Sequence, residues 1–512
     1  MKPQTSPGTS AVRRLASAPV FAPRYRRVSF WWAGSRFLLM LWSLQAMPYF
    51  SRGSVIGDVN IYNGWANTMV HGSFPSSDPQ WQYPPAAALV MLFPKLIARV
   101  GIGYVNSFFF FALAADAVVF ALLIGQADRI SAETGREPHL SGVWAWVLGG
   151  FALGPILFMR YDVIVTALAV GGMIGTVKAV GRRTPEQADK WTWSLRGVLL
   201  GLGAVVKVWP VVLLAGLPGG RRGARAVLSA IVGVVVICGL LAAGLSGALS
   251  FLGHQSSRGI EVEAVFASPF MIASWFGYPV STVHEDGNFQ LAGPGTSLVA
   301  SGAILTTLLG FGIVLWWRLR RFHPERWSPA LMYDAGFTVL LVMVVTSRVL
   351  SPQYLIWLIG LSALCLAEAA PKKGGPVNEI GGRRGTLMAL PARMVMGCTL
   401  VSQLEFPILF LQVMHHGFLG TAVVAARNLV LLAATVIALR KLWSATTAVA
   451  DEPAPAQPAD SVGAASPGAR STAGAPAGAD AITEPDADLV ALQAAGAGQA
   501  PGGAEPRSAS TT

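Results

Sequence analysis

Charge is scarce in this chain: Asp, Glu, Lys and Arg make up 12% of its 512 residues, against 53% that are hydrophobic. With a mean hydropathy of +0.52, such a composition excludes a water-soluble globular protein and implies a polytopic membrane protein. Cysteine is scarcer still. Cys238, Cys365 and Cys398 each sit in an apolar stretch without metal-ligand spacing, which excludes a disulfide framework and a zinc site and leaves them as packing residues. Also missing are a glycine-rich phosphate loop and a soluble nucleotide-binding domain. Only 8 of the 38 basic residues are lysine, and with the excess of alanine and glycine this looks like a high-GC bacterial genome. The net charge of +12 would suit a nucleic acid, but the arginines cluster at the ends of apolar segments, where the positive-inside rule puts them. Nucleic acid is therefore not an expected partner.

Residues 1–28 form a basic tail, with Arg13, Arg14, Arg24, Arg26 and Arg27 and without the cleavage site of a signal peptide. Residues 29–441 form the polytopic domain, expected to be all-α with about 10–12 transmembrane helices and interfacial helices in the first outer loop. Spans are expected near 29–50, 104–126, 142–160, 161–180, 226–247, 297–317, 331–347, 353–369, 388–412 and 419–439, with outer loops at 51–103 and 248–296. Basic residues at 129/136, 182/183/190, 221/222/225, 318–326, 372–384 and 440/441 mark the cytoplasmic side and place both termini there. The apolar stretch 84–100, broken by Pro94, Lys95 and Arg99, is expected to lie along the outer interface. Residues 194–217 have basic clusters on both flanks and Lys207-Val208-Trp209-Pro210 at the centre, so a hairpin broken at Pro210 is expected, with Lys207 near a cavity. Residues 442–512 carry eight acids against two arginines among Ala, Pro and Gly, the composition of a disordered cytoplasmic tail.

The first outer loop holds Gly57-Asp58-Val59-Asn60-Ile61-Tyr62 and Trp81-Gln82-Tyr83-Pro84-Pro85. A carboxylate at the lipid–water boundary can take a proton from an attacking hydroxyl, so Asp58 is the candidate catalytic base; a helix N-cap is the alternative. Lys207 lies within an apolar run, where an ionisable group is expensive and marks a functional site, such as a partner for a lipid phosphate, unless it snorkels to the interface. The second outer loop offers His254, Arg258 and Glu261, with Arg258 able to clamp a phosphate, though a salt-bridged loop is equally compatible. Ser347 to Tyr354 forms another polar turn, in which Arg348 can meet an anion and Gln353 and Tyr354 can bind a sugar; a proline-capped turn is its alternative. Arg160-Tyr161-Asp162 reads as a local ion pair, and His415-His416 as surface histidines. Asp116 and Glu405 are intramembrane acids without a partner identifiable in the sequence.

At these residues the chain resembles the polytopic glycosyltransferases of the C superfamily, most closely glycosyltransferase family 87, which includes polyprenol-phosphate-mannose-dependent α-mannosyltransferases of actinobacteria. The likeness rests on Gly57-Asp58, Gln82-Tyr83-Pro84-Pro85, Lys207-Val208-Trp209-Pro210, His254 to Glu261, and Ser351-Pro352-Gln353-Tyr354-Leu355-Ile356-Trp357, and covers roughly residues 30–440. It implies a glycosyltransferase-C-like membrane fold and Asp58 as the base. It also implies a sugar donor on polyprenyl phosphate bound by Lys207, Arg258 and Arg348, and sugar contacts from Tyr62, Tyr83, His254, Glu261, Gln353 and Tyr354. The expected activity is transfer of a hexose, mannose first, to a lipid or glycan acceptor at the outer face of a bacterial cytoplasmic membrane, among membrane lipids. No cofactor is expected: Val59 follows Asp58 where related families often carry a second, metal-ligating acid, and Asp78 is the other acid of that loop. The competing expectation is a multi-spanning transporter or lipid flippase using Asp116, Glu405 and Lys207, although no internal repeat supports it.

Overall fold

The computed structural model describes residues 22–44, 52–178, 184–245, 247–251, 258–285, 287–322, 327–369, 379–380 and 383–447. His254 lies outside the described residues, as do most of the basic tail and the acidic tail beyond Thr447. The fold is mainly helical, with two small antiparallel hairpins among the described residues. Five helices among the described residues are long and apolar enough to cross a membrane: α4 (Tyr104–Thr134), α9 (Gly220–Gly244), α11 (Thr296–Arg320), α12 (Pro329–Thr346) and α16 (Phe418–Thr447). A short helix, α10 (Ser268–Ser274), lies between α9 and α11 in the chain. Burial divides the five long helices. In α9 and α11 most side chains stay uncovered, including Leu228, Ile231, Val235, Leu305, Leu308 and Leu309, as befits a lipid-facing surface. In α12 nearly every side chain is buried, and in α13 (Tyr354–Ala367) all from Leu355 onward, so these two form the centre of the bundle.

The remaining apolar segments are shorter. α1 (Arg26–Ser43) leads into α2 (Arg52–Val70), and α3 (Ala87–Ala98) has 12 residues, which rise about 18 Å and fall short of a ~30 Å hydrocarbon core. The expected span at 142–160 is broken: α5 (Ser141–Leu153) stops at Gly154, whose φ of +75° a side chain would resist, and only the single turn α6 (Ile156–Met159) follows. α7 then runs Asp162–Ile174. The expected span at 388–412 is likewise interrupted, because α14 (Ala389–Gln403) gives way to a π-helical turn containing Pro407 before α15 (Phe410–Met414).

The hairpin expected at 194–217 is present in a modified form. α8 (Pro185–Val206) opens on a capping box at Thr184 and ends where Lys207 turns extended; a 3-10 segment, Trp209–Gly216, then runs back and packs against α12 before α9 begins. The outward limb is thus a helix of 22 residues that begins at Pro185, well before the expected start at 194. Its neighbour α9 runs parallel to it. A Cβ on Gly197 would lie 2.0 Å from the carbonyl of Ala226, and one on Gly201 would lie 2.7 Å from that of Ala230, so the two backbones touch. Arg222 Nε lies 3.1 Å from Asp189 near the start of both helices, which puts the two basic flanks on one side.

Other polar contacts mark that same end of the bundle. Arg24 and Tyr25 bond Asp128, Arg129 donates to the carbonyl of Ile174 at 3.2 Å, and Arg196 donates to that of Gly175 at 2.9 Å. Within the bundle, Asp116 has the partner the sequence did not reveal: Arg36 Nη2 at 2.9 Å, joined by Trp32 Nε1 at 2.8 Å. Arg36 also donates to the carbonyls of Trp146 and Val147, tying α1, α4 and α5 together. Glu405 is paired with the buried Arg427 of α16. Neither acid is free, which removes two of the three charges on which a transport reading depended.

Candidate active site

At the end of the bundle opposite the Arg129 and Arg222 contacts lies a cavity of about 930 Å³, walled by four parts of the chain. The first is α2. It starts at Arg52, so Asp58 sits inside the helix and does not cap it. Tyr62 and Trp65 follow at one and two turns on the same face. Asp58 keeps 35% of its side chain exposed, whereas both rings are buried. Trp65 donates to Asp78 at 2.7 Å, and Asp78 also accepts from the backbone of Gln80 at 2.9 Å, so the second acid of this loop anchors an aromatic ring and stands apart from Asp58. Tyr83 meets Tyr161 edge-on at 5.4 Å. Burial pushes the Tyr83 hydroxyl up to about 12, with the charge of Asp58 adding to the effect. It is a neutral hydrogen-bonding group.

The second wall is the junction of α6 and α7, and here the sequence reading needs correction. Arg160 and Asp162 do not pair with each other. Arg160 is extended, with φ −131° and ψ 144°, and its neighbour Asp162 opens α7, so the two side chains diverge. Arg160 Nε lies 2.8 Å from Asp58 Oδ2. Asp162 Oδ1 accepts from Lys207 Nζ at 2.7 Å and from Trp357 Nε1 at 2.6 Å. The break after α8 therefore delivers Lys207 into the cavity, where its ammonium also lies over the rings of Tyr161, Tyr354 and Trp357 at 5.0, 5.4 and 4.9 Å.

The third wall is the segment from Arg258 to Glu263, which lies along the hairpin of β1 (Ser281–Glu285) and β2 (Asn288–Ala292). Val262 N donates to Phe289 O at 3.0 Å and Leu291 N to Ile260 O at 2.9 Å. Past Glu261 the chain turns, closed by Ala264 N donating to Glu261 O at 2.9 Å, so that Glu261 and Glu263 both line the cavity while Val262 is buried. Burial raises the Glu261 carboxyl, opposed by the charge of Arg258; Glu263 is raised much further by burial, then by Glu405 and Glu261. Arg427 and Asn428 hold the segment in place through the carbonyls of Glu263 and Ala264.

The fourth wall is the turn between α12 and α13. Glu261 N donates to Arg348 O at 3.0 Å, and Ser351 Oγ donates to Glu261 Oε1 at 2.7 Å, so this turn and the third wall are fastened together. Burial lowers the Arg348 guanidinium, and the charge of Arg258 lowers it further. Tyr354 stacks on Trp357 at 4.0 Å, which in turn stacks on Trp209 at 5.3 Å.

The fold thus brings Asp58, Tyr62, Tyr83, Lys207, Arg258, Glu261, Arg348, Gln353 and Tyr354 to one cavity. His415 and His416 do not line it: His416 accepts from Trp275 through its carbonyl at 2.9 Å and meets Thr282 at 3.0 Å, and burial lowers its imidazole, helped by His415. Sequence reasoning missed Arg160, Glu263 and Trp209 as lining residues. Arg160 carried a signal, a cation directly after an apolar segment, but its partner lies about a hundred residues away. Among the described residues, no group of three or more His, Cys, Asp or Glu is placed to hold a metal ion.

The class of protein is a multi-pass helical membrane bundle whose cavity gathers Arg160, Lys207, Arg258 and Arg348 with the carboxylates Asp58, Glu261 and Glu263. The family model of glycosyltransferase family 87 matches residues 81–367, more than half of the chain, and the chain belongs to that family. It is therefore a membrane glycosyltransferase. No curated protein matches it. Among solved structures, it is similar to that of ArnT from Cupriavidus metallidurans bound to undecaprenyl phosphate, at 14% identity over 81% of this chain and 77% of that one, with a TM-score of 0.40.

Proposed function

We propose that the protein transfers a hexose, mannose first among the candidates, from a polyprenyl-phosphate donor to a lipid or glycan acceptor, with Asp58 as the general base. The observation that carries this reading is the meeting of Asp58 with Arg160, Lys207, Arg258 and Arg348 around one 930 Å³ cavity. An inverting displacement needs this combination. A carboxylate accepts the proton of the attacking hydroxyl on one side of the anomeric carbon, and cations stabilise the phosphate that leaves on the other. Tyr62, Tyr83, Gln353, Tyr354 and Glu261 supply neutral and anionic hydrogen-bonding groups for sugar hydroxyls, and the exposed Val208 and Leu411 at the cavity's edge suit a polyprenyl chain in the bilayer. His254 belongs to the proposed sugar contacts by sequence alone. The reading needs no metal.

We place the cavity at the outer face of a cytoplasmic membrane. The positive-inside rule assigns the Arg129 and Arg222 end to the cytoplasm, and the cavity sits at the other end. Both termini are then cytoplasmic, residues 29–441 are the catalytic unit, and 442–512 a tail without catalytic role.

The test uses purified protein given radiolabelled polyprenyl-phosphate mannose and membrane-lipid acceptors. Asp58→Asn keeps the shape but cannot take the proton, and we expect a loss of about 10²- to 10⁴-fold in kcat. Transfer at the wild-type rate in that variant would exclude Asp58 as base. Cysteine labelling from outside the cell should modify Ser77→Cys and spare Arg222→Cys; the reverse would put the site on the cytoplasmic face.

A further inference from the structure

Arg160 is a cation of the cavity that makes few directed bonds. Its side chain is 14% exposed, yet the one aligned hydrogen bond it makes runs from Nη1 to the carbonyl of its neighbour Met159, at 3.3 Å. Nε lies 2.8 Å from Asp58 Oδ2, but its N–H is not aimed at the carboxylate, so the contact is an ion pair without a directed hydrogen bond. Lys207 differs: Asp162 neutralises it at 2.7 Å and three rings enclose it. A guanidinium presents five donors in a planar fork; in Arg160, Nε is buried without a hydrogen-bond partner and Nη1 bonds only the Met159 carbonyl, which leaves donors for an anion. A phosphate fits that fork bidentately.

Asp58 and a phosphate compete for this one group. In an inverting displacement the base and the leaving phosphate stand on opposite sides of the reacting carbon, so the fork cannot serve both. We propose that Arg160 binds the phosphate of the donor and, by exchanging partners, releases Asp58 to act on the acceptor. Arg160 is then both a donor-binding residue and the group that holds the base neutralised in the empty site. This rests on the phosphate-linked donor proposed above.

Undecaprenyl phosphate, a polyprenyl phosphate of the class proposed for the donor and without a sugar, is the probe, and its binding to the full chain in nanodiscs is the measurement. Arg160→Gln should weaken binding about 10- to 100-fold, the range for losing a charge-assisted pair. Arg160→Lys should fall between, because it keeps the charge and loses the fork. Asp58→Asn, which leaves Arg160 in place and frees it, should bind several-fold tighter than wild type, and adding Arg160→Gln should abolish that gain. If Arg160 only supports Asp58 structurally, Arg160→Gln binds undecaprenyl phosphate as wild type does, and the proposal falls while the donor reading stands. Should Arg160→Gln fail to fold, unchanged or weaker binding in Asp58→Asn overturns the proposal equally. Failure of the wild type itself to bind undecaprenyl phosphate would bring down the donor reading and this inference together.

Discussion

Replacing Asp162 with Asn keeps the size of a buried side chain and an acceptor for Trp357 while removing the charge that faces Lys207. The pair is 2.7 Å apart, with 16% of the Lys207 side chain and 1% of Asp162 exposed. At that distance and an effective dielectric of about 20, the Coulomb attraction is about 6 kcal/mol, an upper limit that the cost of desolvating both ions reduces. Removing one partner of a buried pair costs about 3–5 kcal/mol, because the other charge stays behind uncompensated. Allowing for the partial exposure of Lys207, we expect Asp162→Asn to lose about 3 kcal/mol. The assay is SDS-induced unfolding in mixed micelles, with the double variant Asp162→Asn/Lys207→Met completing a cycle. The double variant should recover most of the loss, since the orphaned charge is then gone. A loss under about 1 kcal/mol in the single variant, or a double variant as unstable as the single one, would refute the account of this ion pair.

Arg36→Met should destabilise by about 3–5 kcal/mol through the stranded Asp116, and Arg36→Met/Asp116→Leu should regain stability in the same unfolding assay. Gly197→Leu, which drives a side chain into the carbonyl of Ala226, should cost about 1–3 kcal/mol or more and loosen α8 from α9, read as faster proteolysis near Lys207. Glu263 has a folded-state pKa well above its ordinary value, so the folded chain holds the extra proton and the associated stability is present in acid and lost as pH rises through the shifted value. Glu263→Gln carries its own protons, so its stability relative to wild type should improve from about pH 5 to about pH 8; a constant difference between the two would contradict the shift.

Legibility followed the range of the forces involved. Long apolar runs are local, and those at 104–126, 226–247, 297–317, 331–347 and 419–439 correspond to α4, α9, α11, α12 and α16 with shifted ends. The break at Lys207 was legible too, since Pro210 cannot continue a helix and a lysine in hydrocarbon needs a reason. The shortness of α5 was not: Gly154 sits in an otherwise apolar stretch, and composition does not report its positive φ. The partners of Asp116 and Glu405 were hidden for another reason. Arg36 looked like part of a first span and Arg427 like part of the last, and sequence separation carries no information about which helices pack together.

The sequence by itself determined that this chain lives in a membrane, and it singled out Asp58, Lys207, Arg258 and Arg348 as the polar groups worth explaining. Hydropathy and charge patterns are written residue by residue, so they survive without coordinates. Only the tertiary structure decided that Asp58 faces Arg160, that Asp162 holds Lys207 instead of its near neighbour, and that Glu261 is latched to Ser351. Those pairings depend on where helix ends meet across the bundle, and an extended turn of backbone at Arg160 is enough to send two neighbouring charges to different partners.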